Sequence, residues 1–600
     1  MQRLFVVVVA IAVSAGCSKS PATVSKAGPA DSGVPAEPKA PSSALITETE
    51  PNDSPETAQK LDRSGIVAGQ IEAVQPATKP DEDWYLIQPA QLPQDVSVQL
   101  SYGGRPPAEP PAGKFVLEAY DRDHNRLQTQ SGSLTAGPLA SLPTLRVRDV
   151  LLIRVAGHQA VFPYELKIDL SSPDPNSEAE PNDRAVDATP LPFDHPLRAS
   201  YGTEDDKDYY VVDLAPDAGN SITDAGAAPS PPPGAVQPTE MLRIEVTASP
   251  GVRHSLVILD DTQTPLGTFL SHQVGEPLTV RDFALRPGLS HVYLLLENAH
   301  GHKKHVATET ASDRPYLVTV RREPAPPDLE LEPNDTLELA TPLVSQTDTS
   351  PNATARRVGY LSPAGDVDDY RLHLDAPTRV HVTLSALERV DTELSVVESD
   401  PQSAAGKTIL KVNEGGSKEP EVIPSVTLAA GDHFLRVQAA LHQVGSKWVR
   451  DQEDPEQTYR LEVELFPDDG TFEREPNDTP ANATPILPGQ TLSGFAFPSK
   501  DLDVYRLDLS AQPVATGVSF RVTGVSKVPL SLELRDGKDG TLGELLNSSD
   551  PGKPSADAQF QEKLDPGVYF LVVKPHPASR VAGIPQADAD MPYKLSVQME

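Results

Sequence analysis

Six residues, Glu-x-Glu-Pro-Asn-Asp, occur four times in this chain, and this recurrence constrains the fold more than any other feature. The copies are Glu48-Thr49-Glu50-Pro51-Asn52-Asp53, Glu178-Ala179-Glu180-Pro181-Asn182-Asp183, Glu330-Leu331-Glu332-Pro333-Asn334-Asp335 and Glu473-Arg474-Glu475-Pro476-Asn477-Asp478. A second acidic cluster, Asp-x-Asp-x-Tyr or close to it, follows each copy. These clusters are Asp81 and Asp83 before Tyr85, Asp206 and Asp208 before Tyr210, Asp366 and Asp368 before Tyr370, and Asp501 and Asp503 before Tyr505. The internal spacing is kept and the intervening stretch varies, so the chain is four copies of one module. The copies start roughly 130–150 residues apart, the ordinary size of a domain and far beyond a solenoid repeat.

Each module repeats one order of landmarks. After the motif comes an Ala-x-x-Leu/Ile pair (Ala58/Leu61, Ala188/Leu191, Ala340/Leu343, Ala483/Ile486), which predicts one helical turn. Asp53 and Asp335 stand three residues before Glu56 and Glu338, as in a capping box. The Asp-x-Asp-x-Tyr cluster then leads into a strand whose apolar residues alternate, as in Tyr370-Arg371-Leu372-His373-Leu374. Further short strands follow between acidic or Gly-containing turns, and each module closes on a Tyr-led strand beginning at Tyr164, Tyr316, Tyr459 or Tyr593. With 62 prolines and 5% aromatic residues, this pattern predicts an all-β chain of four tandem, jelly-roll-like antiparallel β-sandwiches. Their expected bounds are residues 47–170, 177–322, 329–466 and 472–600, with a low-complexity insertion at 216–238 read as a disordered loop.

The amino terminus reads as an export signal over residues 1–16. A basic start, an apolar run from Leu4 to Val13 and the small residues Ser14-Ala15-Gly16 precede Cys17, the one cysteine of the chain. The arrangement resembles the lipobox of bacterial lipoproteins, with Ser14 where that family usually has Leu. The resemblance implies that Cys17 is lipidated and anchors the chain in a membrane. Ser18 after it, rather than Asp, points to the outer membrane or cell surface. Residues 17–46, rich in Pro, Ala, Ser and Lys, are expected to form a disordered tether. One cysteine excludes an intramolecular disulfide. The net charge of −35 disfavours nucleic acid as a partner.

The acidic clusters suit a hard cation. Calcium takes six to eight oxygens, and alternation along an extended segment puts Glu48 and Glu50 on one side, with Asn52 and Asp53 at the following turn and Asp81 and Asp83 closing from the adjoining strand. The same set recurs as Glu178, Glu180, Asn182, Asp183, Asp206 and Asp208; as Glu330, Glu332, Asn334, Asp335, Asp366 and Asp368; and as Glu473, Glu475, Asn477, Asp478, Asp501 and Asp503. Oxygen-only ligation disfavours zinc and copper. Asn-Asp also starts turns and caps helices, but four copies with a matched second cluster favour a metal, at one or two calcium ions per module.

Taken together, these landmarks resemble the bacterial pre-peptidase C-terminal domain. The resemblance implies a jelly-roll-like sandwich and calcium ligation by the matching Glu, Glu, Asn and Asp and by the second cluster. Such domains usually accompany a peptidase. Here no His-Glu-x-x-His, Gly-x-Ser-x-Gly or phosphate-binding glycine loop occurs, so the expectation is a non-catalytic, membrane-anchored protein that binds a protein or polysaccharide. A structural stalk of the cell envelope, or an accessory subunit of a secreted hydrolase, is the alternative. His300, His302 and His305 could bind a transition metal, but lysines flank them and they lack a counterpart in the other modules, which favours a solvated loop.

Overall fold

The computed structural model describes residues 44–600 apart from 73–80, 105–112, 136, 148, 159, 179, 202–205, 215–238, 300–314, 344–352, 524–527, 547–557 and 576–586. The export signal, most of the tether, the 216–238 insertion and the His300/His302/His305 loop therefore lie outside the described residues. Residues 45–600 form one compact unit.

This unit holds four β-sandwiches, each with two sheets around its own apolar core. In the first, one sheet runs Gln59–Leu61, Glu82–Ile87, Leu151–His158, Lys114–Tyr120, Arg126–Ser133 in spatial order. The facing sheet runs Ala44–Thr47, Gly65–Ile71, Phe162–Ser171, Gln94–Tyr102, Pro138–Val147. The other three repeat this order with four strands in the facing sheet. The strands form where the sequence alternates: Tyr593, Leu595 and Val597 are buried in the closing strand Tyr593–Met599, while Lys594 and Gln598 are exposed. The two inner faces then interdigitate as the core.

Two expectations are corrected, and the antiparallel sandwiches gain one detail. The segment after each motif is not an α-helical turn. It is a tight turn, 3-10 in the second module (Ala185–Asp187), followed by a strand of two or three residues. Leu61 is buried because this short strand pairs with Glu82–Ile87, and the pairing is parallel. The same parallel pairing recurs in the other modules, and isolated parallel bridges Ser177–Arg198, Leu329–Val358 and Phe472–Ser493 join the chain just before the motif to the edge of the facing sheet; the remaining strand pairs described are antiparallel. Finally, residues 44–46, expected in the tether, belong to the strand Ala44–Thr47 at the edge of the facing sheet. The third module carries an added hairpin, His442–Val444 with Lys447–Val449.

Candidate metal centre

The motif runs along the edge of its sandwich, and the Glu–Pro bond is cis in all four copies. The first Glu is fixed by its backbone to the facing sheet: Glu178 N donates to Arg198 O at 2.9 Å, Glu330 N to Val358 O at 2.9 Å and Glu473 N to Ser493 O at 2.9 Å. Its carboxylate accepts from a backbone N–H of the same sheet, from Gln70 at 2.9 Å, Tyr360 at 2.8 Å and Phe495 at 2.6 Å, and from Ser200. The second Glu folds back onto the Asn two residues on. Asn52, Asn182, Asn334 and Asn477 each donate their N–H to it, at 3.0, 3.1, 2.9 and 3.0 Å. The Asn carbonyl in turn accepts from the strand carrying the second cluster, as in Trp84 N to Asn52 O at 2.9 Å.

Two buried tyrosines tie the carboxylates together. The Tyr of the second cluster donates to the first Glu: Tyr85 to Glu48 (2.8 Å), Tyr210 to Glu178 (2.7 Å), Tyr370 to Glu330 (2.8 Å) and Tyr505 to Glu473 (2.7 Å). The Tyr of the closing strand donates to the second Asp: Tyr164 to Asp83 (2.6 Å), Tyr459 to Asp368 (2.6 Å), Tyr593 to Asp503 (2.7 Å), and Tyr316 to Asp208. The two hydroxyl oxygens also lie within hydrogen-bond distance of each other in every module, so each tyrosine pair shares its two protons among these three contacts. The sequence shows both tyrosines as strand landmarks, but their part in the acidic cluster emerges only in three dimensions.

The residues singled out from the sequence do converge. Carboxylate oxygens of Glu48, Glu50 and Asp83 lie within 4.8 Å of one another, as do those of Glu178, Glu180 and Asp208, and of Glu330, Glu332 and Asp368. A second group shares the middle Glu: Glu180 with Asp183 and Asp206, and Glu332 with Asp335 and Asp366. In the first module Asp53 neighbours Asp81, and in the fourth Asp478 neighbours Glu475 and Asp501. Burial, then mutual repulsion, raises these carboxyls well above the usual range at Glu180, Asp208, Glu332, Asp368 and Asp503. Asp83 is pushed up to about 9, again chiefly by burial.

The hydrogen bonds leave a consistent set of oxygens over. Oδ1 of the second Asp (Asp83, Asp208, Asp368, Asp503) is buried without a hydrogen-bond partner in all four modules. So are Oε1 of Glu180, Glu332 and Glu475 and Oδ1 of Asn52, Asn182 and Asn334. In the fourth module Asn477 Oδ1 instead accepts from Val504 N at 3.1 Å. Buried acceptors without donors are costly and rare. Their repetition at matched positions, all oxygen and mostly anionic, is the donor set a hard divalent cation requires.

No known protein family and no curated protein matches the sequence. Among solved structures, the chain is similar to the pre-peptidase C-terminal domain of a collagenase from Bacillus anthracis, with 18% identity over 20% of this chain and 100% of that one and a TM-score of 0.16. It is also similar to the PBSX exported protein XepA, with 10% identity over 41% of this chain and 86% of that one and a TM-score of 0.13. A third likeness is the BSP domain of a biofilm associated protein, with 9% identity over 60% and 75% of the two chains and a TM-score of 0.11.

Proposed function

We propose that this chain is an exported lipoprotein, anchored through Cys17 in the outer membrane, whose four sandwiches are calcium-stabilised, non-catalytic binding modules for envelope or extracellular proteins or polysaccharides. The unpartnered, buried oxygens repeated in every module carry this reading. The two Glu, the Asn and Asp of the motif and the two Asp of the second cluster would hold the ion. The ion supplies positive charge that cancels the repulsion among them and ties the motif to the core strands. The carboxylates are engaged with one another and with buried tyrosines, which suits ligation better than acid–base work. Four modules in tandem would convert weak sites into avid binding where spacing permits.

The test is thermal unfolding of the full chain in EDTA, in calcium and in magnesium. At calcium about a hundredfold above a site's dissociation constant, each occupied module gains about 2.7 kcal/mol. The expected result is a calcium-specific rise in melting temperature that Glu473→Ala with Glu475→Ala removes from the fourth module alone. Equal melting in EDTA and calcium would overturn the calcium reading. The stalk reading is favoured by the hydrogen-bonded joints between modules described next. Binding of collagen-like peptide or polysaccharide to the purified chain would count against it.

A further inference from the structure

In the second and third modules the second Glu of the motif is held from two sides. Its side chain belongs to the acidic cluster of its own module, and its backbone is bonded to the module before. Glu180 N donates to Thr144 O at 3.1 Å, and Arg146 N donates to Glu180 O at 2.7 Å. The next joint repeats the pair: Glu332 N donates to Asp282 O at 2.9 Å, and Ala284 N donates to Glu332 O at 2.8 Å. Both are parallel bridges, Leu145 with Glu180 and Phe283 with Glu332. They fall on Pro138–Val147 and Leu278–Ala284, the outermost strands of their sheets. Each motif thus covers a sheet edge whose backbone groups would otherwise lack partners.

The joint between the second and third modules is the more elaborate. A bulge lies beside the bridge in both edge strands, and in Leu278–Ala284 it carries Asp282, which is 4% exposed. Asp282 lines a small cavity with Tyr360 and Ser362, whose N–H groups donate to Glu330 and Asp366 of the third module's cluster. A neighbouring cavity of about 160 Å³ is walled by Leu266, Phe269 and Phe283 on one side and by Glu332, Asp335 and Asp366 on the other. Glu332 is 4% exposed and its Oε1 has no hydrogen-bond partner. Arg286 Nη2 donates to Pro333 O at 2.7 Å, Arg281 Nε to Pro455 O at 2.5 Å, and His272 Nδ1 lies 2.8 Å from Glu453.

The third–fourth joint is built differently. Among the described residues Glu475 makes no backbone bond to the preceding module. The Arg379 guanidinium instead lies 4.1 Å from the Phe466 ring and 4.2 Å from that of Phe472, and Ser499 N donates to Glu414 at 2.9 Å.

We propose that the cation sites of the second and third modules are also the locks of the joints in front of them, so that divalent-cation binding at Glu180 or Glu332 and docking of the preceding module are one linked equilibrium. The proposal rests on the calcium reading above. A cation fixes the side chain of this Glu and thereby its two backbone bonds. Without a cation, outward movement of this Glu relieves the repulsion and breaks both bonds. Asp282 strengthens the linkage at the second–third joint, where the first–second joint has the neutral Thr144. The third–fourth joint stands outside this control.

The readout is amide hydrogen exchange of the full chain in EDTA and in calcium, together with calcium titration calorimetry. In the wild-type chain calcium slows exchange at Arg146 and Ala284, residues of the module before the site. Asp366→Asn with Asp368→Asn disables only the third module's site, and is expected to abolish the slowing at Ala284 while leaving that at Arg146. Asp282→Thr, which installs the residue of the other joint, is expected to weaken one calcium site by about tenfold. Absence of any calcium heat in the wild type would overturn the calcium reading itself. Calcium binding with Ala284 exchange indifferent to the third module's site would overturn the lock alone. Unchanged affinity in Asp282→Thr would remove Asp282 from it.

Discussion

Replacing Gly359 with alanine would drive a methyl group into the tyrosine–carboxylate network of the third module. Gly359 lies opposite Tyr459 in the facing sheet, as Gly69 lies opposite Tyr164 and Gly494 opposite Tyr593. A Cβ on Gly359 would come within 2.5 Å of the Tyr459 hydroxyl, and one on Gly69 within 2.5 Å of the Tyr164 hydroxyl. The second module already carries the substitution, because Ala199 stands opposite Tyr316. There the closing tyrosine reaches Asp208 and Tyr210. In the other modules it also reaches the first Glu, at 2.9 Å for Tyr164 with Glu48 and 3.2 Å for Tyr459 with Glu330 and Tyr593 with Glu473. The second module surrounds Tyr316 with Tyr201 and His254, at ring separations of 5.1 and 5.2 Å. Gly359→Ala has no such compensation. The lost hydrogen bond to a carboxylate costs about 1.5–3 kcal/mol and the crowding about 1–3 kcal/mol, against about 0.5–1 kcal/mol gained from the stiffer unfolded chain. The expected net loss is about 1.5–5.5 kcal/mol. Unfolding of four modules is not two-state, so the assay is exchange of the strongly protected amides in Asp454–Pro467. The converse, Ala199→Gly, should cost no more than about 1 kcal/mol. A Gly359→Ala chain within about 0.5 kcal/mol of wild type would refute the argument that this glycine is dictated by the network.

Acidity offers a second test. Carboxyls raised by folding, such as Asp83 at about 9 and Glu178 at about 8, favour the folded state fully below their unfolded value of about 4 and lose that favour as pH rises through the folded value. In EDTA, calorimetric stability should therefore increase as pH falls from about 9.5 to 5, whereas calcium should flatten or reverse the trend; a decrease in EDTA would contradict the burial of these groups. Arg436→Met should destabilise the third module by about 3–5 kcal/mol, because Asp369 is 0% exposed and receives both of its 2.7 Å bonds from that guanidinium. Adding Asp369→Val should recover most of the loss in a urea titration followed by exchange. Cys17→Ser should abolish incorporation of labelled fatty acid and release the chain from the membrane fraction; retention of the label would exclude this cysteine as the anchor.

The sandwich architecture is legible in the sequence because strands such as Tyr370 to Leu374 alternate cleanly and the same turns recur four times. The acidic cluster is legible because its members recur at fixed offsets. Ala58/Leu61 misleads because one buried leucine four residues after a turn fits a helical turn and a short parallel edge strand equally well. The tyrosines are seen but not understood: an apolar ring in a strand accounts for Tyr164 or Tyr459 without its hydroxyl. Asp282 leaves no trace in the sequence. It sits outside both repeated clusters, its carboxyl pushed up to about 8 by burial and by Glu330, and its surroundings come from a module whose motif begins nearly fifty residues later.

The bridged edges give the chain a direction. Each of the first two sandwiches offers its outermost strand forward, and the following motif reaches back to cover it. The natural cassette is therefore not the sandwich but an edge strand together with the motif that follows it. Shuffling or grafting at the Pro-containing connectors between these modules, residues 171–176 and 323–328, would separate partners such as Phe283 and Glu332, leaving a bare edge on one fragment and an uncovered acidic motif on the other. A cut placed inside a sandwich, upstream of its edge strand, would carry the matched pair intact.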